Sequence, residues 1–76
     1  MNQEQRDSLF GPEPQFSEHK TGDVISFTEN GQTRIGAILH VMAPGVVDGI
    51  EHGVRYVVAF KQKGFPSIVA PGDVIV

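Results

Sequence analysis

The clearest alternation of apolar and polar positions runs from Val54 to Lys61. Val54, Tyr56, Val58 and Phe60 alternate there with Arg55, Val57, Ala59 and Lys61. A period of two is the signature of a strand with one buried face. Arg55 and Lys61 mark the solvent side, so the pattern predicts Tyr56, Val58 and Phe60 in the core. Val24 to Thr28 (Val-Ile-Ser-Phe-Thr) is rich in β-formers and predicts the first strand. Asn30-Gly31 follows it, a pair suited to the two positive φ angles of a two-residue hairpin turn. Thr33 to Val41 is the returning strand, with Ile35, Ala37, Leu39 and Val41 alternating against Arg34, Gly36, Ile38 and His40.

Pairing these two strands without interruption sets Phe27 opposite Arg34 and Ile25 opposite Gly36. A bulge at Gly36 shifts the register by one and gathers Ile25, Phe27, Ala37, Leu39 and Val41 on one buried face. That is the expected arrangement, and it leaves His40 on the outer face. The rival is an unbulged strand with Ile38 pointing inward.

Met42 to Gly53 reads as a long loop. Ala43-Pro44-Gly45 has the residues of a type II turn, and Asp48-Gly49 offers an alternative turn within an extra hairpin. Val46, Val47 and Ile50 make the loop apolar enough to pack against the rest or to form a recognition surface. Gln62 to Gly64 turns the chain, Ser67 to Ala70 is a short fourth strand, and Ala70-Pro71-Gly72-Asp73 is tight enough for one helical-type turn. Val74 to Val76 is a fifth, very short strand. Gly-Asp-Val-Ile occurs at both Gly22 and Gly72. Shared turn chemistry explains this, with an Asp accepting nearby backbone N–H groups before a strand.

Met1 to Lys20 is different in kind: polar, rich in Gln, Glu and Pro, with isolated Leu9, Phe10 and Phe16. Gly11-Pro12-Glu13-Pro14 breaks a helix, and such a segment buries too little apolar area to offset its ordering entropy. The expected organisation is a flexible tail at 1–20 and one domain at 21–76, with no helix; the alternative is a tail that docks on the domain or on a partner through Leu9 and Phe10.

Seventy-six residues suffice for one domain with a small core. The chain has no cysteine, which removes disulfides and thiolate zinc sites as reinforcement. The formal net charge of −3, with Lys61 and Lys63 as the one close basic pair, argues against a phosphate-binding surface. No run is apolar for long enough to cross a membrane, and the first residues lack a secretory pattern, so a cytoplasmic protein is the expectation.

Candidate chemistry is sparse. His52 with Asp48 and Glu51 is the closest approach to a metal-ligand set, and a solvated polar loop explains the same residues. No serine stands in a nucleophile motif, no paired carboxylates are identifiable, and the glycines do not form a phosphate-cradling pattern. Neither a catalytic residue nor a cofactor is expected. Phe65, beside Pro66, offers a rigid apolar rim near Lys61 and Lys63. The candidate binding residues are therefore Phe65, Val46, Val47, Ile50, Lys61 and Lys63, with a protein partner or a second copy as the ligand. The competing account is that they cap the ends of the core.

The succession of Gly-Asp-Val-Ile-Ser-Phe, Gly-Ala-Ile-Leu-His-Val, Val-Arg-Tyr-Val-Val-Ala-Phe and Ile-Val-Ala-Pro-Gly-Asp-Val-Ile-Val resembles the SH3-like barrel superfamily. KOW and Tudor domains and the small peripheral photosystem I subunit with this barrel share the pattern. The resemblance spans Thr21 to Val76 and implies an all-β, five-stranded SH3-like barrel behind the tail. It departs from nucleic-acid-binding KOW domains in lacking a basic surface. It departs from methyl-lysine and proline-peptide readers in having one Tyr and no Trp. A non-catalytic protein-binding or assembly module is the expected function. The alternative is a KOW-like nucleic-acid binder using Lys61, Lys63 and Arg55, and after it an accessory subunit of an enzyme complex.

Overall fold

The computed structural model describes residues 2–59 and 64–75. The chain is mostly β. Strands β1 (Val24–Glu29), β2 (Gln32–Met42), β5 (Arg55–Ala59) and β6 (Ser67–Val69) form one antiparallel sheet in that order, and β3 (Gly45–Val47) pairs with β4 (Ile50–His52) in a separate hairpin. One α-helix, α1 (Gln3–Phe10), precedes the strands, and a 3-10 turn at Pro71–Asp73 follows them.

The Asn30-Gly31 turn forms as its residues require. Their φ angles are +51° and +77°, and Glu29 pairs with Gln32 across it. From there β1 and β2 pair without interruption, Phe27 against Arg34 and Ile25 against Gly36. The expected bulge at Gly36 is absent, and the rival reading with Ile38 inward is the one observed. Arg34 is only half-buried, so a side chain opposite Phe27 need not be wholly withdrawn from water.

Gly36 has a different role: a Cβ there would stand 2.2 Å from the Ala59 carbonyl oxygen and 2.8 Å from Val58 Cγ1. The missing side chain is what lets β5 come this close to β2.

The register does shift, between Ile38 and His40 in the β2–β5 pairing. Ile38 and Val41 therefore both reach the core, whereas an unbroken period of two would put them on opposite faces. The core consists of Ile25, Phe27, Ile38, Val41, Tyr56, Val58 and Val69, with Val54 and Val74 packed against it. Tyr56 and Val58 point inward as expected; Phe60 lies outside the described residues. Ala37 and Leu39 were expected in this core. They face the other way, Ala37 half-buried and Leu39 exposed.

Among the described residues six strands are present rather than five, and the main sheet does not close into a barrel. It curls far enough for its edge strands to meet through side chains, Ser67 Oγ of β6 donating to Glu29 Oε2 of β1. After the 3-10 turn the chain returns to β1, where Val74 bridges Phe27 and the Ile75 N–H donates to Ser26 O at 2.7 Å. This is the expected place of the last strand, although the contact among the described residues is one bridge.

Two further expectations fail on backbone grounds. Gly45 does not have the positive φ of a type II turn and instead opens β3, while Asp48 and Gly49, at +52° and +77°, form the hairpin turn. The N-terminal segment contains a helix because Asn2 and Gln5 make a reciprocal capping box, at 2.8 and 3.0 Å. The breaker at Gly11-Pro12 ends that helix rather than preventing it.

Gly36→Ala should destabilise the protein by about 3 kcal/mol or more, because backbone rather than a flexible side-chain end occupies the space. Urea unfolding followed by circular dichroism measures this; a midpoint within error of the parent would show that β2 and β5 can separate at no cost.

Candidate functional site

Four of the six expected binding residues are described, and all four are exposed: Val46 at 66 %, Val47 at 50 %, Ile50 at 62 % and Phe65 at 67 % of full accessibility. Lys61 and Lys63 lie outside the described residues. Val47 and Ile50 pair directly, so they share one face of the β3–β4 hairpin. Val46 pairs with Glu51 on the other face. Phe65 belongs to a separate connection, between β5 and β6, and the next residue, Pro66, lines a groove of about 320 Å³ with Arg6, Phe10 and Leu39.

The Asp48, Glu51 and His52 set does not converge. Asp48 sits in the hairpin turn, and Glu51 and His52, as consecutive strand residues, project to opposite faces. Among the described residues no group of three or more His, Asp or Glu side chains is placed to hold a metal ion.

The most elaborate polar arrangement lies elsewhere, around His40. Its side chain is on the sheet face opposite the core, as expected, but it is fully buried, and so is Val57, its partner on β5. The N-terminal segment provides cover for His40. The Phe10 ring lies 5.6 Å from the imidazole, centroid to centroid. His40 Nε2 is 2.8 Å from the Gly11 carbonyl oxygen. A carbonyl only accepts, so Nε2 carries the proton and donates. Asp7 Oδ1 lies 3.8 Å from Nε2 and Glu13 Oε1 lies 4.0 Å from Nδ1.

Glu13 ties the same segment to the backbone. Its Oε2 accepts from the Val41 N–H at 3.1 Å and from Thr21 Oγ1 at 2.6 Å. Burial opposes the Glu13 charge. The hydrogen bonds from Thr21 and Val41, with His40 and Arg6 nearby, outweigh it and hold the pKa below the ordinary carboxylate value. Further along, Ser17 Oγ donates to the His19 carbonyl at 2.6 Å, and the His19 ring meets Tyr56 edge-on at 5.7 Å.

These attachments are mainly polar. No residue of α1 is buried, and Leu9 and Phe16 face solvent. Each hydrogen bond contributes about 0.5–1.5 kcal/mol net, while a buried polar atom left without one costs about 1–3 kcal/mol. Two such atoms, His40 Nδ1 and Asp7 Oδ1, are present at this junction. The segment is thus held by a small balance of opposing effects.

The alternation assigns His40 only to a face and carries no mark of its burial. The capping-box spacing of Asn2 and Gln5 was the available signal for the helix that helps to cover it. Compared with protein-family models, with curated proteins and with solved structures, the chain matches none.

Glu13 has a lowered pKa in the folded protein, so its contribution to stability is present above the unfolded carboxylate pKa and is lost as pH falls through the folded value. Thermal midpoints should therefore drop below about pH 4.5, and Glu13→Gln should flatten that limb while lowering the midpoint at neutral pH. An acid limb of equal steepness in the variant would remove Glu13 from the linkage.

Proposed function

We propose that the protein is a non-catalytic protein-binding or assembly module of the SH3-like type, engaging a protein partner or a second copy through the β3–β4 hairpin. The observation that carries this reading is the exposure of Val46, Val47 and Ile50 on a hairpin with apolar side chains on both faces. A two-stranded ribbon of three residues per strand has little stability of its own in water. Apolar side chains exposed together characterise interaction sites. The SH3-like part of the reading is supported by the strand order, by the 3-10 turn before Val74 and by the return of the chain to β1.

Val47→Lys with Ile50→Lys tests it. Both side chains are already in water, so the thermal midpoint should stay within a few degrees of the parent, equivalent to less than about 1 kcal/mol. Sedimentation equilibrium of the pure protein and affinity capture from the native cell are then compared between parent and variant. Loss of self-association or of a captured partner in the variant supports the hairpin as the contact. Identical behaviour of the two proteins would dismiss it.

A further inference from the structure

We propose that residues 2–14 are a strap that lifts from the outer face of the sheet as a unit, with His40 as its clasp. The division of the molecule into two faces is the first argument. The core residues lie on one side of the sheet, and the strap lies on the other, over His40. Neither the β1-β2-β5-β6 ladder nor the core cluster includes a strap residue, so the strap can leave with both intact.

The second argument is the nature of the attachment. The strap meets the sheet at Phe10, Gly11 and Glu13, through one ring contact and the bonds to His40 Nε2 and the Val41 N–H; Asp7 also faces His40, and Arg6 and Phe10 share a groove with Leu39 and Pro66. Its helix buries no side chain, and Leu9 points into water.

The third is a pivot. Gln15 and Phe16 are exposed, and beyond them His19 is set against Tyr56. Motion can stop there without disturbing the core. When the strap departs, His40 joins a face that already exposes Val24, Ile35, Leu39 and Ile68. Departure therefore enlarges an apolar surface that the resting protein partly covers.

Amide hydrogen exchange of the full-length chain across a denaturant series tests the strap. The Val41 N–H, bonded to Glu13, reports its attachment. The ladder amides of β1 and β5 report the core. In the parent, protection at Val41 should be at least about tenfold lower than in the ladder and nearly independent of denaturant, as for a local opening. His40→Phe keeps a ring but removes the bond to Gly11, and should lower protection at Val41 relative to the ladder by a further factor of about ten. If Val41 in the parent shares the protection and denaturant slope of the ladder, the strap is an integral part of the fold and the proposal fails. That comparison needs no variant, so it stands even if His40→Phe does not fold. Unchanged relative protection in a folded variant would remove His40 as the clasp.

Discussion

The register shift between Ile38 and His40 is the constraint on which the rest of the molecule depends. A strand of regular period commits alternate residues to one face. By taking up an extra residue, β2 sends both Ile38 and Val41 into the core and leaves His40 on the reverse side. The strand is eleven residues long and pairs with β1 through its first part and with β5 through its second. Moving the irregularity would exchange Val41 with His40, placing an imidazole among the core side chains and a valine beneath the N-terminal segment. Gly36 complements the shift: it brings the β5 backbone close enough to pair with a strand that bends.

This dependence explains why the sequence and the structure agree unevenly. Local chemistry was legible. Asn30-Gly31 makes its turn, Val24 to Thr28 and Arg55 to Ala59 are strands, and Pro71–Asp73 is a tight helical turn. Each of these is decided by a few neighbouring residues. The location of the register shift is decided by what packs across the sheet. Gly36 looked like the natural site because glycine tolerates irregular backbone; its actual use is the close approach of Ala59, a residue distant in sequence. The same argument assigns Leu39 to the core, whereas the structure turns it outward at the shift.

The candidate surface was legible to a different degree. That Val46, Val47 and Ile50 exceed what a solvated loop requires could be read directly, and the structure exposes them on a hairpin. The polar junction at His40 was hidden because its members come from three stretches: the first helix, the Gly11 to Glu13 turn and β2. A histidine in a strand does not announce that two carboxylates from the N-terminal residues will face it. The composition of that segment, low in apolar residues, pointed to solvent; specific polar contacts overrode it.

The Ser67–Glu29 contact bears on how the molecule behaves in crowded solution. An open sheet offers its outermost strands as templates on which other chains can stack into fibres. Here β1 accepts a bond from Ile75 along its margin, and the only three residues of β6 are tied back to β1 by Ser67. The main sheet therefore leaves little room for strand-by-strand growth. The β3–β4 hairpin is limited in the same way by its length, three residues to a strand, which offers another chain little backbone to pair with.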